Sequence, residues 1–129
     1  MKKLFNKGVK QYLKLRYNRI ERMRIAPVEV QEKTLNSLLY RAKDTEYGKK
    51  HGFHEINDHA SYIQNVPVVE YEDVKPYISK MMEGESDVLW PGVIKWYAKS
   101  SGTTNDRSKY IPVSEDSLYK NNVAASWDT

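Results

Sequence analysis

The sequence predicts an α/β fold, mostly helical, with a few short strands gathered around one hydroxyl-rich loop. Three observations predict it. Apolar residues recur at spacings of three and four through roughly the first third of the 129-residue chain. Residues 93–98 and 110–113 are short runs rich in β-branched and aromatic side chains. Between those runs lies a polar stretch with glycine at its centre.

The first helix is expected over residues 1–24. Phe5, Val9, Tyr12, Leu13, Tyr17, Ile20 and Met23 fall on one side of it and most cations on the rest. Ala26 and Pro27 mark a new start, because proline suits a first helical turn and biases the residue before it away from helix. A second helix is expected to reach about Tyr47, with Val30, Leu35, Leu38, Leu39 and Ala42 on its core side and Gly48 as its stop. A loop over 48–57 precedes a short helix over 58–64, and residues 66–69 are extended. Glu72 and Asp73 start another short helix, which Pro76 limits before helix resumes over 78–82. Gly84, Pro91 and Gly92 punctuate the approach to the first strand. After the second strand, whose Pro112 suits a sheet edge, Ser114 is placed to cap a helix over 115–127. No glycine stop follows Trp127, so the chain is expected to continue past Thr129.

Charge is unevenly spread. The chain carries 21 Lys and Arg against 17 Asp and Glu, a net +4. Residues 1–24 hold nine basic side chains and one acid, Glu21, for +8, so everything after them is net −4. Three roles fit such a helix: a solvated outer face, an anionic membrane surface contact, or nucleic-acid contact. Charge runs are usually solvated faces, so neither a nucleic-acid partner nor stable membrane insertion is expected. No apolar run approaches the roughly 18 residues of a membrane span. The basic opening lacks the apolar centre and cleavage site of a secretory signal. The chain has no cysteine, which fits a reducing, cytoplasmic setting.

The chemistry concentrates between the two strands. Ser100, Ser101, Thr103 and Thr104 surround Gly102, whose missing Cβ lets the backbone turn and aim several N–H groups into one concavity. The hydroxyls add donors, while Arg107 and Lys109 supply the positive charge a triphosphate requires. This is a hairpin-like tip over residues 97–113 rather than a Walker loop, since no helix opens after the glycine. By composition alone, a phosphate cradle and a polar surface turn are equally open readings. His51, His54 and His59 have no cysteine and no helical i, i+4 spacing beside them, which favours loop histidines over a metal site. The acid pairs Glu72 with Asp73, and Glu115 with Asp116, sit at helix starts and suit the helix dipole. Met81 and Met82 suit packing, and neither Ser100 nor Ser101 has a hydrolase elbow around it.

The order of residues narrows the choice. Ser100, Ser101, Gly102, Thr103 and Thr104, then Lys109 and the run Tyr110, Ile111, Pro112, Val113, resemble the phosphate loop of adenylate-forming enzymes. They most resemble the auxin-responsive promoter (Gretchen Hagen) family of acyl-acid amido synthetases. The segments 46–53, 66–68, 71–78 and 84–92 resemble that family's N-terminal region in the same order, so the likeness covers residues 25–120. It departs at Asp106, where the family often has glycine, placing an acid near the proposed phosphates. The resemblance implies the N-terminal part of an adenylate-forming large domain, with the acyl pocket, adenine-binding segments and C-terminal lid lying further along the chain. It implies ATP and magnesium as cofactors, and a carboxylic acid and an amine as substrates. Phosphate contacts are implied at Ser100, Ser101, Gly102, Thr103, Thr104, Arg107 and Lys109, with Lys109 as the catalytic cation. Two other functions compete: a non-catalytic basic-helix module docking on anionic membrane or nucleic acid, and an inert paralogue acting through protein contacts.

Overall fold

The computed structural model describes residues 2–101 and 108–119, apart from the side chains of residues 2–7, 9, 16 and 19. Five helices precede one hairpin: α1 (Lys2–Ile25), α2 (Pro27–Ala42), α3 (Glu46–Lys50), α4 (His59–Asn65), α5 (Tyr71–Met82), β1 (Trp96–Lys99) and β2 (Tyr110–Val113).

Pro27 opens α2 at its first turn as expected, after Ala26 leaves helical geometry with ψ at 62°. The apolar stripe of α1 is less covered than its spacing implies. Tyr12, Leu13, Tyr17, Ile20 and Met23 are all exposed, and α1 meets α2 end to end, the Ala26 N–H donating to the Arg22 carbonyl and the Ala26 carbonyl accepting from the Val30 N–H.

The second helix does not run to Tyr47; it ends at Ala42. Thr45 is the reason. Its hydroxyl donates to the Ala42 carbonyl at 2.7 Å and accepts the Gly48 N–H at 3.0 Å, closing one helix while capping the next. Gly48 is therefore not a helix stop. It lies inside α3, and a Cβ built on it would stand 2.0 Å from the Ala42 carbonyl oxygen, so only glycine lets the two helices meet this closely.

Asp58 caps α4 by accepting from the Ser61 N–H at 2.7 Å, and Ser61 Oγ returns a bond from the Asp58 N–H. Residues 66–69 join no strand among the described residues; Val66 has extended dihedrals, φ −112° and ψ 108°, and Val68 is fully exposed. Pro76 does not interrupt α5, which runs unbroken for 12 residues. Burial of Ile78 and Met81 holds the helix past the one lost backbone bond. Asp73 accepts the Glu70 N–H at 2.9 Å, the helix-start role expected of it. Met81 is buried, whereas Met82 is exposed.

The core lies under the hairpin. Met81 of α5, Val88 and Ile94 are buried together, with Tyr77, Leu89, Trp90 and Tyr97 packed around them. Each fully buried side chain of this kind contributes about 1.5–3 kcal/mol. The segment between α5 and β1 is fastened to α3, since the Asp87 and Val88 carbonyls accept the Glu46 and Tyr47 N–H groups at 2.7 and 3.0 Å. Asp87 holds a left-handed φ of 59°, stabilised by its carboxylate accepting from the Gly92 N–H at 2.8 Å and from Ser86 Oγ at 2.7 Å. These two donors hold its carboxyl below the ordinary aspartate range.

Candidate functional site

Strands β1 and β2 pair antiparallel with Trp96 opposite Val113, Tyr97 opposite Pro112, Ala98 opposite Ile111 and Lys99 opposite Tyr110. The first strand thus starts three residues later than the β-branched run implies. Ile94 turns into the core instead of pairing. One further rung lies beyond the strands: the Ser100 N–H donates to the Lys109 carbonyl at 2.9 Å, and the Lys109 N–H donates to Ser100 Oγ at 2.9 Å. The base of the loop is therefore clasped by the first and last residues of the predicted phosphate segment.

That rung sets the parity of the hairpin. Bonded and non-bonded pairs alternate along an antiparallel ladder, so Lys99 with Tyr110 and Tyr97 with Pro112 are non-bonded pairs. The backbone polar groups of Tyr110 consequently face the outer edge, as does the ring nitrogen of Pro112, where a missing N–H costs no ladder bond. At that edge the Tyr71 hydroxyl accepts the Tyr110 N–H at 3.0 Å and meets the Tyr110 carbonyl at 3.4 Å. The Tyr71 ring lies under the Lys109 ammonium, 5.5 Å from centroid to Nζ, and Lys99 Nζ stands 5.9 Å from the centroid of the Tyr110 ring.

Of the predicted site residues, the structure brings Ser100 and Lys109 into direct contact and places the exposed Ser101 next to them. Gly102, Thr103, Thr104 and Arg107, together with Asp106, lie outside the described residues. Ser100 uses a lone pair to fix the loop base, which leaves its O–H as a donor for a ligand. Sequence reasoning missed Tyr71, 39 residues upstream; its place at a helix start gave no sign of contact with the loop.

After β2, the Ser114 hydroxyl accepts the Ser117 N–H at 3.1 Å and caps a helical turn over 115–119, as expected. The expected continuation over 120–127 lies outside the described residues. Asp116 forms an ion pair with Arg41 of α2, and the Arg41 guanidinium stands 4.7 Å from the Trp90 ring centroid. The segment leaving the loop is thereby tied to the helical layer. Two of the three histidines have partners: His51 meets the Asn65 carbonyl at 3.3 Å and packs at a tilt against Tyr47, and His54 Nε2 lies 3.3 Å from a Glu55 carboxylate oxygen. His59, by contrast, is exposed at the first position of α4 and not in a loop. Among the described residues no three His, Cys, Asp or Glu side chains form a possible metal cluster, and no helix is long and apolar enough to cross a membrane. An apolar cleft of about 340 Å³ is lined by Leu35, Leu39, Tyr47, Phe53, Tyr62 and Trp90 among others, and none of Ser100, Ser101 and Lys109 borders it.

A helical layer leading into a short antiparallel hairpin is an arrangement also found in part of a solved acyl acid amido synthetase. The solved GH3.15 acyl acid amido synthetase shares it with a TM-score of 0.73 and 29% identity, over 84% of this chain and 20% of that one. The AtGH3.15 acyl acid amido synthetase in complex with 2,4-DB gives a TM-score of 0.67 and 31% identity, over 76% and 17%. Residues 16–129 match the GH3 family N-terminal domain, and the chain belongs to that family. The indole-3-acetic acid-amido synthetase GH3.2 of Arabidopsis thaliana is 38% identical over 100 residues, which are 77% of this chain and 18% of the relative. The jasmonoyl-L-amino acid synthetase JAR4 of Nicotiana attenuata is 33% identical over 89 residues, 68% of this chain and 15% of the relative. The chain thus spans about a fifth, or less, of the length of the relatives it matches.

Proposed function

We propose that this chain is the phosphate-gripping N-terminal portion of an ATP-dependent acyl-acid amido synthetase acting in the cytoplasm. In that reaction a carboxylate oxygen attacks the α-phosphorus of ATP, the bond to the β-phosphate oxygen breaks, and pyrophosphate leaves. The amine of an amino acid then attacks the acyl carbon of the adenylate, losing a proton and releasing AMP. The activities of the relatives, an indole-3-acetic acid-amido synthetase and a jasmonoyl-L-amino acid synthetase, support this reading.

The observation that carries it is the clasp between Ser100 and the Lys109 main chain, which fixes a hydroxyl-bearing and an ammonium-bearing residue at the two ends of one loop. Pyrophosphate is the leaving group, so groups fixed before the reaction stabilise its developing charge without reorganising. In this reading the hydroxyls of Ser100, Ser101, Thr103 and Thr104 and the backbone around Gly102 bind the β and γ phosphates, with Arg107 and Lys109 neutralising them. The donor set fits magnesium held chiefly by phosphate and water, with a hydroxyl at 100 or 101 as a protein ligand. Its chemistry there is charge neutralisation on the departing pyrophosphate.

Carboxylate-dependent exchange of pyrophosphate into ATP, measured on the gene product that contains this chain, tests the proposal. Lys109→Ala is expected to slow exchange about 100-fold, corresponding to roughly 3 kcal/mol of lost stabilisation, while leaving amine affinity unchanged. An exchange rate equal to that of the unaltered protein removes Lys109 from the mechanism.

A further inference from the structure

We infer that Tyr71 is a positioning residue for Lys109, one that couples the start of α5 to the loop and sets where the ammonium stands. The inference rests on the reading of Lys109 as the phosphate-facing cation.

Two independent contacts meet in this one side chain. The Tyr71 hydroxyl accepts from the Tyr110 N–H at 3.0 Å and faces the Tyr110 carbonyl at 3.4 Å, so it occupies both main-chain groups that the hairpin parity turns away from β1. A phenol suits that position because it is donor and acceptor at once. The face of the same ring lies 5.5 Å from Lys109 Nζ. The backbone of residue 110 and the ammonium of residue 109 are therefore referenced to one rigid aromatic. That aromatic is the first residue of a 12-residue helix whose later turns carry Ile78 and Met81 into the core. From the opposite side, the Lys109 N–H is fixed on Ser100 Oγ. With the backbone held on both flanks, the confinement of Lys109 begins at its main chain, and the ring face 5.5 Å from Nζ favours one region for the ammonium. Such confinement removes part of the rotamer entropy that a flexible cation would lose on gripping a phosphate.

Two substitutions separate the contacts. Tyr71→Phe keeps the ring and removes the hydroxyl, while Tyr71→Leu removes both. Hydrogen exchange at the Tyr110 amide reads the first contact without reference to activity, and Tyr71→Phe is expected to accelerate it about fivefold or more, as loss of one neutral hydrogen bond implies. Pyrophosphate exchange reads the second. Tyr71→Leu is expected to lower kcat at least tenfold with the KM for the carboxylic acid unchanged, and Tyr71→Phe to retain most of the rate. In a Lys109→Ala background Tyr71→Leu is expected to cost less than twofold more, because its effect passes through the lysine. Equal losses from Tyr71→Leu in both backgrounds, or an unchanged kcat, overturn the inference. So does a Tyr71→Leu protein whose urea midpoint falls while Tyr71→Phe restores stability but not rate. If Lys109→Ala itself leaves exchange intact, the fault lies with the functional reading, and the Tyr110 amide measurement still decides whether Tyr71 holds the strand.

Discussion

Replacing Gly48 by alanine tests how closely the helices that support the hairpin approach each other. In an ordinary helix this exchange stabilises by about 0.5–1 kcal/mol, because glycine loses more backbone entropy on folding. Here the added Cβ would stand 2.0 Å from the Ala42 oxygen, 2.9 Å from its carbonyl carbon and 3.1 Å from the carbonyl carbon of Lys43. All three are backbone atoms, so no side chain can swing aside. Bringing the closest contact to 3.0 Å separates the end of α2 from α3 by about 1 Å, a displacement comparable to the overpacking that costs about 1–3 kcal/mol in cores. The same shift pulls Thr45 from its two bonds to Ala42 and Gly48, and loss of such a cap costs about 1 kcal/mol. Set against the entropy gain, the net expectation is a destabilisation of about 2–3 kcal/mol. With a urea slope near 2 kcal/mol per molar, the midpoint falls by about 1–1.5 M. Hydrogen exchange at Glu46 and Tyr47, whose N–H groups bind the carbonyls of residues 87 and 88, should accelerate in parallel. A midpoint that rises or holds refutes the close approach, and with it the account of why the second helix stops at residue 42.

Two further outcomes follow from the loop base and the turn that leads to it. Ser100→Ala removes the acceptor of the Lys109 N–H and is expected to destabilise the loop by about 1–2 kcal/mol; exchange at that amide rises if so, and an unchanged rate would show that the clasp does not form. Asp58 and Asp87 are both held below the usual aspartate value, Asp58 chiefly by Ser61 Oγ and Asp87 chiefly by the Gly92 N–H. Their contribution to stability is fully present above the unfolded value of about 3.9 and is lost as pH falls through the lower folded values. Urea midpoints measured from pH 6 downward should therefore decline in the acid range, with a shallower decline in Asp58→Asn and Asp87→Asn; matching slopes would count against both caps.

Much of the helical layer could be read from spacing, because amphipathic periodicity and proline placement are local properties. Pro27, Asp58 and Ser114 each open a helical segment as their chemistry demands. The misreadings fall where a tertiary contact decided between local options. Residues 43–47 are compatible with helix, so local pattern alone carries the stripe to Tyr47; the buried hydroxyl of Thr45 ends it, and a threonine three residues before a glycine is the faint signal. Pro76 looked like a breaker, yet the buried face of α5 carries the helix through it. Residues 93–95 have strand-forming side chains, but the core claimed Ile94 and the partner strand is only four residues long. Within the candidate site, the residue types around position 100 were plain in the sequence. That Ser100 grips the backbone of a lysine nine positions on, and that a tyrosine from α5 lies beneath that lysine, depends on register and docking, which no local pattern encodes.

The placement of Pro112 and Tyr110 makes the hairpin a one-sided seed. An incoming strand alongside β2 would find no donor at 112 and an occupied amide at 110, so lateral growth on that flank is blocked, which also shields it from unwanted association between copies. Extension of the sheet is therefore favoured along β1, the flank whose main-chain groups no tyrosine from α5 occupies among the described residues.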